Sequence, residues 1–278
     1  MIGTMHRGFI ALTCALWLIV NGVQCGAAGA EPEVRLQHGD SWRLEFPTYH
    51  VQGLCVTEVS FWLSSVDRAT QSGWVFRVDR GTLSVEASRR LADGPRYHPG
   101  GMQLVAGNLW VPLAEYRPHS TSVVLRLDPA TLETRATFPV ADHIGAIAAD
   151  AQGTIYAGNW DCRIIYLFDE QGAPKEKRTN PTGVAYQDFE WHAGRIWATG
   201  AVRQENQPVG VVDVIDPADW RLERRFTLAA RDPPPKNFGR EGFSKLGENL
   251  FVVPDDFPNT TIYGFPIPKT IPIDRPPR

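Results

Sequence analysis

The sequence has little of what several protein classes require. It carries no excess of either charge, with 28 Lys and Arg against 31 Asp and Glu and a formal net charge of −3. That balance leaves no electrostatic footprint for a polyanion, so nucleic-acid binding is not expected. Cysteine is scarce, four in 278 residues, and two of these, Cys14 and Cys25, lie near the N-terminus. The other two, Cys55 and Cys162, fit no zinc-ligand spacing. They could pair in an oxidising compartment or remain as buried free thiols. Beyond the N-terminal segment no apolar run is long enough to span a bilayer. No Gly-rich phosphate loop follows a strand and opens a helix, and there is no Gly-x-Ser-x-Gly elbow.

What is present points to β structure. Hydrophobic residues make up 43% of the chain, alongside 25 Gly, 22 Pro and 9 Trp. A chain with this many aromatic and branched residues can offset its ordering entropy, which excludes disorder. Gly and Pro in such numbers imply many short strands and turns. At the N-terminus, His6 and Arg7 precede an apolar run from Phe9 to Val20, and Ala28-Gly29-Ala30 has the small-x-small form of a cleavage site. Residues 1–30 therefore read as a secretory signal peptide, which implies a secreted or periplasmic protein. Residues 31–265 would form the folded domain. Residues 266–278 would form a Pro-rich extended tail.

The domain repeats itself. A Gly-led apolar strand, a short turn and an aromatic-led strand recur from Gly53 (with Phe61-Trp62-Leu63), Gly101 (with Leu109-Trp110-Val111) and Gly145 (with Ile155-Tyr156-Ala157). The unit returns at Asp188 (with Ile196-Trp197-Ala198) and Gly242 (with Leu250-Phe251-Val252). Successive lead positions lie 43 to 54 residues apart. A third strand follows in each unit, ending in the first four at Asp79, Asp128, Asp169 and Asp216, which read as turn chemistry. Such units at this period predict an all-β fold, a β-propeller. Five blades fit the length, and the stretch Trp42–Phe46 would supply the outer strand of the last blade and close the ring. Six blades is the alternative if residues 31–49 hold more than one strand.

Propeller geometry turns the repeat into a site expectation. Loops leading into the innermost strands and loops after the second strands open on one face, where ligands usually bind. Just before the lead positions lie His50 and Gln52, His98, His143, Gln187 with Asp188, and Arg240 with Glu241. Five residues after each aromatic come Asp67, Glu115, Asp161, Val202 and Asp256, with Arg68, Tyr116, Arg117 and Trp160 nearby. Imidazoles, carboxylates and guanidiniums converging on one mouth can perturb each other's pKa values. On this basis His98, His143, Asp188 and Arg240 are catalytic candidates. His50, Gln52, Glu115, Tyr116, Arg117, Asp161 and Asp256 are candidate ligand contacts. Imidazoles with Gln187, Asp188 or Glu241 could hold a divalent ion, with Ca, Mn, Zn and Mg not distinguished. The segment 231–239, with three consecutive prolines, would lie over this face.

The runs Tyr97-His98-Pro99-Gly100-Gly101, Leu109-Trp110-Val111-Pro112 and Glu115-Tyr116-Arg117 resemble a family of secreted bacterial propellers of unknown function, over about residues 40–265. More distantly the chain is similar to the regucalcin and gluconolactonase propellers, metal-dependent enzymes that open sugar lactones. That similarity implies a metal role for Glu241 of Glu241-Gly242 and for Asn159 as a loop ligand.

Two functions follow from different classes. One is an extracytoplasmic, metal-assisted hydrolase or lyase acting on a sugar lactone, sugar acid or oligosaccharide. The other is a non-catalytic propeller, monomeric, that binds a small carbohydrate-derived molecule or a protein partner across the same face.

Overall fold

The computed structural model describes residues 33–229, 239–254 and 258–269, and every regular element among them is a strand. The expected signal peptide and residues 270–278 of the Pro-rich tail lie outside these residues, as do positions 231–238 and Asp256. The first two strands are β1 (Val34–Gln37) and β2 (Ser41–Arg43). Blade one follows as β3 (His50–Val56), β4 (Ser60–Asp67), β5 (Ser72–Asp79) and β6 (Val85–Leu91). Blade two holds β7 (Arg96–Pro99), β8 (Gln103–Val105), β9 (Asn108–Glu115), β10 (Ser122–Leu127) and β11 (Thr134–Val140). Blade three holds β12 (Ile144–Ala149), β13 (Ile155–Asn159), β14 (Ile164–Phe168) and β15 (Pro174–Thr179). Blade four holds β16 (Asp188–His192), β17 (Arg195–Gln204), β18 (Gln207–Asp216) and β19 (Arg221–Ala229). Blade five holds β20 (Phe243–Leu246), β21 (Asn249–Val252) and β22 (Thr261–Pro266).

Burial explains why the inner strands read as continuous apolar runs. Both faces of a blade are covered by its neighbours, so β4 is buried at every position but the last. The outer strand β15 is exposed at nearly every position and carries Lys175, Lys177 and Arg178. Exposure therefore grows from the inner strands to the rim. Five hydrophobic clusters hold the sheets together, and each draws on two adjacent blades that share no strand. Leu54 and Phe61 of blade one meet Phe251 and Ile262 of blade five, for example, while Ile165 of blade three meets Phe189 and Trp220 of blade four. Five seams for five sheets is a closed ring.

The N-terminal segment closes that ring in two places. Strand β2 pairs antiparallel with β22, with Trp42 opposite Ile262, and supplies the outer strand of blade five as expected. Strand β1 lies parallel on the edge of β19. The segment does hold two strands, yet they extend two existing blades and make no sixth.

The first strands crowd the axis. A Cβ on Gly100 would fall 2.2 Å from the Gly145 carbonyl, and one on Gly101 would fall 2.3 Å from Asp188 Oδ1. The inner strand of blade two is accordingly split into β7 and β8 around these glycines. The same crowding does not extend to Gly145, where the nearest atom would be 3.6 Å away. Cys55 and Cys162 are separate buried thiols, with Cys55 Sγ donating to the Met102 carbonyl at 3.3 Å.

Candidate functional site

Antiparallel order within each blade brings the start of its first strand and the loop after its second strand to the same end. His98 at β7 and His143 just before β12 are thereby placed beside the loops that carry Tyr116 and Trp160. The four rings form one contact group. His98 lies 4.3 Å from Tyr116, 5.2 Å from His143 and 5.7 Å from Trp160, centroid to centroid, and His143 lies 4.6 Å from Trp160. Arg68 sits over the outer face of Tyr116 at 5.3 Å, and Tyr97 meets its edge. Both imidazoles are buried, whereas Trp160 keeps 36% of its surface, one of few large apolar side chains so exposed. The group is thus a wall of aromatic surface with two sealed imidazoles behind it.

Burial sets the charge of those imidazoles. It pushes His98 well below the ordinary histidine pKa, with the neighbouring His143, His50 and Arg68 adding to the effect. His143 is pulled down to about 4, again mainly by burial, against the opposing pull of two backbone carbonyls. Both rings are neutral at pH 7. His143 Nδ1 meets the carbonyls of Glu115 at 2.8 Å and Arg117 at 3.1 Å, so it must carry the proton and Nε2 keeps the lone pair. Nδ1 of His98 is buried with no hydrogen-bond partner among the described residues. A sealed polar atom left unpaired costs about 1–3 kcal/mol, so its persistence needs a reason.

A second polar line borders the same end. The Gln52 amide donates to His50 Nε2 at 2.9 Å and to Glu241 Oε2 at 3.2 Å, linking blades one and five. Arg240 is exposed beside it, and Gln187 is half-buried with its backbone N–H on the Thr199 carbonyl.

Several expected contacts serve their own loops. Glu115 accepts from the Thr121 hydroxyl at 2.9 Å and pairs with Arg117 at 2.8 Å, which together hold its carboxyl below the usual range. Asp161 pairs with Arg163, and Asp67 caps the backbone of Ala69 and Thr70. The recurring acid after the second strand is therefore turn closure at these three positions. Asn159 is buried and its Oδ1 accepts the Ile164 N–H at 2.9 Å.

Asp188 is placed differently from the histidines. It is fully buried at the axis and accepts the N–H groups of Leu54 at 3.2 Å, Phe243 at 3.0 Å and Phe189 at 2.9 Å. It ties blade four to blades one and five. Glu190, two residues on, accepts from Ser244 Oγ at 2.7 Å and the Lys245 N–H at 2.6 Å. This hub was not foreseen beyond Asp188, because nothing in the sequence marks Glu190 or Ser244 as facing the axis. Among the described residues no three His, Cys, Asp or Glu side chains come together, and the Asn159 oxygen accepts the Ile164 N–H.

Residues 10–188 match the Family of unknown function (DUF6454). The chain belongs to this family. None of the curated proteins matches it. Among solved structures it is similar to a bifunctional GH43-CE protein of Bacteroides eggerthii (TM-score 0.54, 9% identity), covering 81% of this chain and 34% of that one. It is also similar to a calcium-binding regucalcin of Agrobacterium tumefaciens (TM-score 0.48, 11% identity), covering 88% and 99%. A third is BamB from Moraxella catarrhalis (TM-score 0.40, 14% identity), covering 80% and 61%, so this chain spans less than two thirds of that protein. At 9% identity the first of these likenesses speaks to the fold alone.

Proposed function

We propose that this propeller binds a small carbohydrate-derived ligand, with hydroxyl groups, against the wall formed by Tyr116 and Trp160, in a secreted or periplasmic setting. The observation that carries this reading is the stack itself: two neutral buried imidazoles packed on an aromatic pair, one ring of which is open to solvent. Aromatic faces take the C–H surface of a sugar ring, and neutral imidazoles donate and accept hydrogen bonds without repelling either a lactone or a sugar acid. Arg68, beside Tyr116, adds a cation for an acidic ligand.

The test is titration of a panel of aldonolactones, aldonic acids and uronic acids, followed by tryptophan fluorescence. Saturable quenching that disappears in Trp160→Ala supports the reading. Equal quenching in that variant sinks it.

A hydrolytic reading rests on the fixed tautomer of His143, whose Nε2 lone pair could accept a proton from water. Release of acid from a lactone by the wild-type chain, lost in His143→Gln, would select it over binding alone.

A further inference from the structure

The guanidiniums at the ligand end of the ring are of two kinds. Arg96 pairs with Asp93 at 2.6 Å and donates to the Thr121 hydroxyl at 3.0 Å. Arg117 pairs with Glu115 at 2.8 Å, and Arg163 with Asp161 at 2.5 Å. Each of these cations is neutralised by an acid close by in the chain. Arg68 is not. It follows Asp67 in the loop after β4 and is exposed, and among the described residues it makes no hydrogen bond and no ion pair. The Asp67 carboxylate is turned instead to the N–H groups of Ala69 and Thr70, at 3.0 and 3.3 Å. Asp142 is likewise taken up, by the His143 N–H at 2.8 Å and the Tyr166 hydroxyl at 2.9 Å.

What holds Arg68 is a ring. Its guanidinium lies 5.3 Å over Tyr116, and attraction to a ring quadrupole consumes no hydrogen-bond acceptor. The donors of Arg68 are therefore positioned but unspent. Its charge also reaches the buried His98, where it adds to burial in keeping that imidazole neutral. His98 Nδ1, for its part, is sealed with no hydrogen-bond partner among the described residues. Two neighbours of Tyr116, a guanidinium and an imidazole, thus keep polar capacity that the fold itself does not use.

Arg68 and Trp160 both border Tyr116, at 5.3 and 6.1 Å from its centroid. A cation and an open aromatic surface one ring apart match a ligand that carries an apolar C–H face and an anionic group together.

We propose that the ligand of this wall is a sugar acid, selected by Arg68 through a pair between its guanidinium and the ligand's carboxylate. The inference rests on the binding reading above and narrows it from hydroxylated ligands in general to anions. A carboxylate binds here without displacing an existing partner, and a guanidinium can take both of its oxygens at once. A neutral lactone or amide gains the aromatic contact alone and leaves the charge unanswered.

The probes are gluconate, glucuronate and galacturonate, each set against its neutral amide, which keeps the shape and the hydroxyls and removes the charge. Each is titrated into the wild-type chain and into Arg68→Gln at low salt, with tryptophan fluorescence as the readout. At least one acid is expected to bind about tenfold tighter than its amide, the equivalent of one charge-assisted hydrogen bond. That preference should shrink as salt rises. In Arg68→Gln the ratio of acid to amide affinity should fall to about one, and a melt of the same sample checks that this exposed position leaves the fold intact. Equal affinity for acid and amide in the wild-type chain overturns the proposal and leaves the aromatic wall standing as a binding surface. So does a preference for the acid that survives Arg68→Gln. Absence of quenching by every acid and every amide at millimolar concentration overturns this proposal and the binding reading together.

Discussion

Asp188 and His98 occupy related places in their blades and are both buried, yet the ring uses them in opposite ways. Every hydrogen bond found for the Asp188 carboxylate is to a backbone N–H, and those bonds tie three strands of three blades together. His98 is equally sealed, but its partners are rings, and its Nδ1 has no hydrogen-bond partner among the described residues. The hub is a fully satisfied network, the kind that fixes a unique packing. The mouth keeps polar capacity in reserve, at some expense to stability, where an aromatic surface meets solvent. Burial alone does not separate a structural polar residue from a functional one. The state of its hydrogen bonds does.

The sharpest way to break this contrast is Asp188→Ala. It strands three buried N–H groups at about 1 kcal/mol or more each, so a loss of roughly 3–5 kcal/mol is expected in chemical denaturation. A loss below 1 kcal/mol would mean the hub does not hold the ring. Gly101→Ala attacks the same place from the other side, since its Cβ would press on the Asp188 carboxyl. A destabilisation of about 1–3 kcal/mol is expected from such overpacking, read as a lower urea midpoint.

The two regions should also respond to acid with opposite sign. Burial and the neighbouring Glu190 hold the folded Asp188 carboxyl well above the usual range, against its three N–H donors. The folded state then keeps a proton that the unfolded chain releases above about pH 4. The Asp188 contribution is present at low pH and fades as pH rises through that raised pKa. The imidazoles behave the other way. Below about pH 6.5 the unfolded chain takes up protons that folded His143 refuses until about pH 4. Their contribution is present above pH 6.5 and lost as pH falls towards 4. Thermal melts between pH 4 and 8 should show His143→Asn flattening the acid-side fall and Asp188→Asn removing the opposing trend. If both variants change the slope in the same sense, the two environments are not distinct.

The smallest effect on stability is expected at the mouth's open edge. Trp160→Ala removes a ring that is already 36% exposed, so Tm should drop by only a few degrees, about 1 kcal/mol. Ligand-induced quenching should vanish altogether. A large Tm loss with binding retained would make Trp160 a core residue rather than a wall of the site.

Much of the fold was legible in the chain. The recurring Gly lead and strand-two aromatic gave the period, and the third strands fall where the repeat puts them, from Ile164–Phe168 to Thr261–Pro266. Trp42 was readable as part of the closing strand because it precedes the first repeat and has no partner of its own. The four Asp turns were readable too, since Asp at a hairpin turn caps its own backbone, as Asp128 does for Ala130 and Thr131. The site was legible only in part. His98 and His143 stand out by spacing, and the structure puts them together. Glu115 and Asp161 share that spacing but spend their charge on Thr121, Arg117 and Arg163 within their own loops. Sequence position reports where a side chain starts, and its rotamer decides what it meets.

By itself the sequence determined the class of structure, favoured five blades over six and pointed to one end of the ring, because a repeat of matched strands is a local property. Only the tertiary structure decided which polar residues are hub and which are mouth. Those distinctions depend on contacts between blades, among residues far apart in the chain, and no local pattern encodes whether a buried carboxylate or imidazole will find its partner there.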